Sequence, residues 1–276
     1  MNHWSREKII GALKETSQRA DHSLSARETG PLLYQACRLY FGSFNKAKQT
    51  AGLPINLPKH HQINKNAGLL NEDLAYVIGV VEGDGHCRKR KSKERTSGEI
   101  ILKVKNQDFA KEFAKRLKRW SGIEPKYWEK NGEFFAALYS IDAVDIIKKI
   151  NVEELAILNK KVKANFLRGL YDSEGGVAGT NLNKRRIACR WIHFSNSNKK
   201  IIVIVSRLLK DFGINHKIKS RIHSGFGSQK LQYEILIFGL ENLEKFCRNI
   251  GFSIKYKKNK LFDVIRSYEQ YRKISA

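Results

Sequence analysis

Two acidic residues stand at the same phase of an internal repeat. The segment LAYVIGVVEGDG (74–85) is echoed by NFLRGLYDSEGG (165–176): Gly79 corresponds to Gly169, Asp84 to Glu174 and Gly85 to Gly175, each 90 residues apart. Apolar residues precede each acid (Val77, Ile78, Val80 and Val81; Leu167, Leu170 and Tyr171), so each copy reads as a buried helix with its acids at the C-terminal end. At such an end the helix dipole is negative and the last carbonyls point outward. Two carboxylates brought together there repel one another unless a cation lies between them. Hard oxygen ligands suit Mg²⁺, with Mn²⁺ as a substitute. A divalent ion held in this way lowers the pKa of a water and stabilises charge on phosphoryl oxygens, which is the chemistry of phosphodiester hydrolysis. The first acids of the copies, Glu82 and Asp172, are expected to cap or hydrogen-bond near the helix ends.

The elements around the acids repeat as well. Gly79 and Gly169 lack a Cβ, so two helices can approach closely about a pseudo-twofold axis. Each motif is followed by two strand-like stretches, 86–93 with 99–105 and 177–182 with 187–194. An amphipathic helix comes next, marked by Phe109, Phe113 and Leu117 in one half and by Ile202, Val205 and Leu209 in the other. A second strand pair follows (126–130 with 134–141; 216–223 with 230–238), then a helix over 142–150 or 240–250. The expected fold is α+β: two pseudo-symmetric αββαββα subdomains, 71–160 and 161–276, with saddle-like antiparallel sheets. Residues 56–70, with prolines, asparagines and few acids, read as a linker. Residues 1–55 read as a small module of three helices, with Ser5 as an N-cap and breaks at Gly30-Pro31 and Gly42-Ser43.

Composition narrows the partners. The 276 residues carry 52 Lys+Arg against 27 Asp+Glu, a net charge of +25, and a polyanion is the partner such a chain calls for. Hydrophobic residues at 41% exclude disorder along the whole chain. No apolar run approaches about 18 residues, and the charged N-terminus lacks a secretory core. The four cysteines form no CxxC pair, which argues against a zinc site and a disulfide framework and fits a reducing, intracellular setting, cytoplasm or nucleoid, rather than secretion.

The duplicated motif, each copy followed by ββαββα in a strongly basic chain, resembles that of the single-chain LAGLIDADG homing endonucleases. The resemblance covers residues 71 to about 270. The N-terminal segment, with Trp4-Ser5-Arg6-Glu7, the aromatic-basic stretch Tyr34 to Phe41 and Gly42-Ser43-Phe44-Asn45-Lys46-Ala47, resembles the helical repeat often attached to such enzymes. The family implies a monomer that cuts both strands of a long, specific double-stranded DNA target and leaves short 3′ overhangs, in the service of intron homing. It assigns metal binding to Asp84 and Glu174, with the adjoining Gly83 and Ser173 in the same set. It also implies a polar residue near the end of the second strand of each half, here Asn106 and Asn198, either of which equally suits an N-cap. A lysine near each centre is implied too, and Lys161 and Lys257 are the candidates. Two departures stand out: Arg168 takes the place of a small residue, and Glu174, one methylene longer than Asp, means that the two scissile phosphates are not treated identically. The alternative on the same scaffold is an RNA maturase bound to intron RNA, or a DNA-binding protein that does not cut.

Cations cluster on the strand-like stretches: Arg88, Arg90, Lys103 and Lys105 in the first half, and Lys184, Arg186, Arg190, Lys217, Lys219, Arg221 and Lys230 in the second. Strands alternate faces, so one face can pack on helices while the other offers these side chains to the major groove. His193, His216 and His223 fit no HxxxH or triad spacing and read as polar strand-surface residues.

Overall fold

The structure of the chain, a computed structural model, describes residues 4–19, 23–55, 63–91, 96–179, 190–225 and 228–274, with backbone alone at 156, 223–225, 228–230 and 269–274. The chain divides into two compact units, Met1–His60 and His61–Ala276.

The first unit holds α1 (Arg6–Gln18), α2 (Gly30–Phe41) and α3 (Phe44–Thr50). Ser5 Oγ accepts from the Lys8 amide and Ser43 Oγ from the Lys46 amide, so both helices start at a side-chain cap. Gly42 ends α2 in the left-handed region (φ 76°), where a side chain would be strained. Ile9, Leu13, Leu24, Leu33, Ala36, Cys37, Ala47 and Ala51 form the core of this unit. Lys48 is buried in it, its Nζ donating to Ser23 Oγ (3.0 Å) and Leu24 O (3.1 Å).

The second unit contains the repeat. The first half runs α4 (Glu72–Val81), β1 (Gly85–Lys91), β2 (Thr96–Val104), α5 (Gln107–Ser121), β3 (Lys126–Lys130), β4 (Glu133–Leu138) and α6 (Ile141–Lys149). After a 3-10 turn (Val152–Ile157), the second half runs α7 (Lys160–Glu174), β5 (Gly175–Gly179), β6 (Arg190–Asn196), α8 (Lys199–Asp211), β7 (Lys217–Gly225), β8 (Ser228–Phe238) and α9 (Leu240–Asn249). Two antiparallel sheets result, with the same strand order, β1-β2-β4-β3 and β5-β6-β8-β7. The α+β, doubly αββαββα architecture is the expected one. Most of its helices begin at an asparagine or serine cap: Asn71, Asn106, Ser140, Asn159 and Asn198.

A long helix, α10 (Lys255–Ile274), lies outside the sequence expectation. Its segment is rich in charge, and the buried apolar positions Leu261 and Val264 are too few to announce a helix. The 63–70 part of the expected linker also packs: the Trp120 indole donates to Ala67 O (2.8 Å) and Asn64 Nδ2 donates to Trp120 O (3.0 Å), tying this stretch to α5. Residues 56–62 lie outside the described residues.

A single core runs through both halves. Val77 and Val80 of α4 and Phe166, Leu167 and Leu170 of α7 are fully buried in it, each contributing roughly 1.5–3 kcal/mol of burial. The helices touch backbone to backbone. A Cβ added at Gly79 would lie 2.3 Å from Phe166 O, and one at Gly169 would lie 2.4 Å from Tyr76 O, so the crossing admits only glycine at these two positions without a shift.

Candidate catalytic centre

The motif copies end differently. α7 stays helical to Glu174, whereas α4 stops at Val81 and leaves Asp84 in the turn before β1. The residue at fault is Gly83, a poor helix former that stands where the second copy has Ser173; Ser173 Oγ instead bonds back to Gly169 O (3.1 Å) within the helix. The absence of a side chain at Gly83 also lets the two ends meet. A Cβ there would fall 2.5 Å from Ser173 Cβ and 3.4 Å from Glu174 Cγ.

Asp84 and Glu174 therefore face a shared space. Burial pushes the Asp84 carboxyl above its ordinary value, opposed by the charge of Lys257. Burial raises Glu174 as well, the negative charge of Asp84 raises it further, and Lys257 pulls it back. Among the described residues, neither carboxylate has a side-chain hydrogen bond or an ion pair. An exposed Asp84 and a half-buried Glu174, the first raising the second and neither with a bonded donor among the described residues, form a hard-oxygen pair suited to a divalent cation. No cluster of three or more His, Cys, Asp or Glu is present among the described residues, so any such ion would take its remaining ligands from backbone carbonyls, water or substrate.

Lys257, at the start of α10, is the lysine that the fold brings here. It is 6% exposed, and its Nζ donates to Asp172 O (2.6 Å) and Tyr171 O (3.1 Å), with Ser173 O at 3.4 Å. It thus satisfies the last carbonyls of α7 and places a positive charge behind both acids. Burial lowers its pKa, while Asp172, Asp84 and Glu174 oppose that shift. Lys161 does not reach the centre. It lies in the first turn of α7, 13 residues and so roughly 20 Å from Glu174 along the helix axis.

Asn106 and Asn198 are N-caps. Asn106 Oδ1 accepts from the Phe109 amide (2.9 Å) and Asn198 Oδ1 from the Lys200 amide (3.0 Å), so these oxygens are committed to helix starts. Asp172 is 1% exposed and bridges the halves: Tyr76 Oη donates to it (2.8 Å), as does the Ser253 amide (3.0 Å). Burial raises its pKa to about 6 against these hydrogen bonds. Arg168 lies at the edge of the helix pair, its Nε donating to Ile250 O (2.6 Å).

Strand register sorts the cations. In the first sheet His86 pairs with Ile101, Arg88 with Glu99 and Lys103 with Phe135, so Arg88, Arg90 and Lys103 share the face away from the helices. Lys105 lies just past β2 and is exposed. In the second sheet Lys217, Lys219 and Arg221 occupy one face, opposite Leu236, Glu234 and Gln232. Arg190 is a correction: its Nη2 donates to Ser267 O (3.2 Å) and its guanidinium stacks 4.4 Å from the Tyr268 ring, on the helix side of the sheet against α10. Lys184 and Arg186 lie outside the described residues, as does the side chain of Lys230.

Two residues, His193, expected as a polar strand-surface side chain, and Glu99, take places that the sequence did not assign. The His193 ring packs on Gly176, two residues beyond Glu174, where an added Cβ would lie 2.6 Å from Cε1. Burial is the main cause that lowers its pKa; Glu234 opposes this, and Lys257, Lys260 and Arg221 add to it. Glu99 stands between two arginines of the outer face. Only the register places either, and the sequence does not state the register.

Comparison with known proteins supports the fold. Residues 161–251 match the family described as LAGLIDADG-like domain. An uncharacterised protein of Methanocaldococcus jannaschii is 29% identical over 59% of this chain and 66% of its own length. A probable translation initiation factor IF-2 of the same organism is 32% identical over 83% of this chain but only 19% of its own length. The chain thus spans less than two thirds of these relatives. Among solved structures, variants of the homing endonuclease I-DmoI share 22% identity at a TM-score of 0.51, over 67% of this chain and 92% of that one. Another I-DmoI variant, solved with its target DNA and Mg, matches at a TM-score of 0.50 and 22% identity, over 68% and 98%. The chain contains a LAGLIDADG-like domain and has the fold of the single-chain homing endonuclease I-DmoI.

Proposed function

We propose that the chain is a site-specific double-stranded DNA endonuclease, with a divalent metal held by Asp84 and Glu174, Mg²⁺ or Mn²⁺ in its place. The observation that carries this reading is that the two repeats bring their ends together at Gly83, Ser173 and Glu174, with the charge of the exposed Asp84 acting on the half-buried Glu174 and neither carboxylate holding a bonded donor among the described residues. A divalent ion supplies a lowered pKa for the attacking water and neutralises charge on phosphoryl oxygens and the leaving oxygen. The protein's own part is to hold the two oxygen donors together and to fix the phosphate against them. Lys257 keeps the end of α7 in place and tempers the repulsion between the acids. Gly83 and Ser173, at the junction of the two ends, offer backbone carbonyls as further ligands. Arg88, Arg90, Lys103, Lys217, Lys219 and Arg221 lie on the outer faces of their sheets, where they suit a duplex. One chain provides both acids, so it acts as a monomer. The matched stretch forms only a fifth or less of two relatives of unrelated name, IF-2 and a replication factor C small subunit of M. jannaschii, which fits a portable module. Among the described residues no helix is long and apolar enough to cross a membrane.

The test pairs cleavage with binding. Asp84→Asn and Glu174→Gln are each expected to abolish Mg²⁺-dependent cutting of a selected target and to leave DNA affinity measurable. Full cutting by both variants refutes the assignment. Sequence-specific binding without cutting by the wild-type chain, in either metal, moves the protein to the binding-only alternative.

A further inference from the structure

The outer face of the first sheet carries a carboxylate where a DNA-binding surface has least use for one. Glu99 is 15% exposed and lies directly across from Arg88 in the β1–β2 ladder. Its Oε1 accepts from Arg88 Nε and from Arg90 Nη2 (3.1 Å), two side chains on the same face of β1. Arg88 and Arg90 remain 41% and 59% exposed, so the carboxylate is covered while the guanidinium forks reach solvent. A lone carboxylate here would repel phosphate; flanked by two arginines it is neutralised, and the triad keeps a net positive charge.

Geometry gives the triad a use. Arg88, held at Nε, presents its two Nη groups in a fixed plane, two parallel donors that match the N7 and O6 acceptors of guanine in the major groove, while Arg90, held at Nη2, keeps Nη1 as a single aimed donor. An arginine without such a brace swings to the nearest phosphate, which positions a protein on DNA but carries no sequence information. The second sheet has no equivalent among the described residues. At the same repeat phase and register, Ala178 pairs with Trp191, and Trp191 packs on Phe238 with ring centroids 5.9 Å apart.

We propose that Glu99 is a specificity-determining positioning residue, bracing Arg88 and Arg90 for guanine readout in the half-site under the first sheet. The proposal rests on the DNA-binding reading above. It makes the two half-sites unequal: the first strict at two or three neighbouring base pairs, the second without that brace.

Wild type, Glu99→Gln and Glu99→Ala are to be compared by selection from a randomised duplex library, with base preference read at every position and thermal midpoints measured alongside. In Glu99→Ala, guanine preference is expected to fall by about tenfold at two or three adjacent positions on one side of the cut. Glu99→Gln, which keeps an acceptor, is expected to fall between. Thermal midpoint and affinity for random DNA stay the same, or that affinity rises. An unchanged profile overturns the proposal, as does equal flattening of both half-sites. A rise in affinity with the guanine preference retained also overturns it, since Glu99 would then act only as a repelling charge. If the wild type itself selects no sequence, the DNA-binding reading falls and this proposal falls with it. If the wild type selects a site and Glu99→Ala selects the same profile, only this proposal falls.

Discussion

Gly79→Ala adds one methyl at the crossing of α4 and α7. Its carbon would lie 2.3 Å from Phe166 O, 3.0 Å from Leu170 N and 3.2 Å from Gly169 Cα, all backbone atoms. Ordinary contact begins near 3.4 Å, so α7 must retreat by about 1 Å. No rotamer relieves a clash with backbone, which puts the cost at the upper end of the roughly 1–3 kcal/mol typical of overpacking. Alanine's better helix propensity returns about 1 kcal/mol. The net loss is about 2 kcal/mol, or about 4–8 °C in melting temperature for a unit of this size. Because Asp84 follows the end of α4 by one turn and Glu174 ends α7, the shift separates the carboxylates, and about 1 Å at a reacting centre costs on the order of a hundredfold in rate. Thermal melts followed by circular dichroism, with single-turnover cleavage on the same preparations, measure both. Gly11→Ala in α1 is the control of opposite sign. No atom lies within 4 Å of its added Cβ, so the first unit should gain about 0.4–1 kcal/mol. A Gly79→Ala protein that melts no lower than wild type and cuts at the same rate refutes the argument that the close crossing sets the acid pair.

Lys257→Met removes the donor from the carbonyls of Tyr171, Asp172 and Ser173, and about 1–3 kcal/mol of stability should be lost in urea titrations; an unchanged midpoint would mean that these carbonyls find other partners. Asp172 tests pH linkage. Its pKa in the fold is raised to about 6, so the folded state binds more protons than the unfolded state between about pH 4 and 6. Stability from this group is therefore present at low pH and lost as pH rises through about 6. Relative to wild type, Asp172→Asn should gain steadily across that window in urea midpoints, and parallel curves would contradict the burial argument. Contact with about 6–10 phosphates predicts that DNA affinity falls by roughly 10³–10⁵ between 50 and 200 mM salt. A flat response in filter-binding or anisotropy assays would remove the outer sheet faces as the DNA surface.

The linear sequence decided the architecture because the repeat is carried by local chemistry. Apolar spacing, the glycine pairs and the cap residues act within a few positions of themselves, and the 90-residue offset shows that each pattern occurs twice. The equal phase of Asp84 and Glu174 was legible for the same reason, since the two acids hold one position in both copies. Period-two alternation also foretold that Lys217, Lys219 and Arg221 share a face. What the tertiary structure decided was which distant groups meet. Lys257 and Lys161 were equal candidates in the sequence, yet Lys257 alone reaches the acids, because α10 returns to the end of α7. Arg190 looked like its neighbours, and one residue of strand phase turned it toward α10. Asn106 and Asn198 fitted two roles, and the helix amides they accept from made them caps. Glu99 is one of few acids in a basic segment. Only the β1–β2 register sets it between two arginines, because pairing across a hairpin depends on which residues lie opposite and not on which lie adjacent.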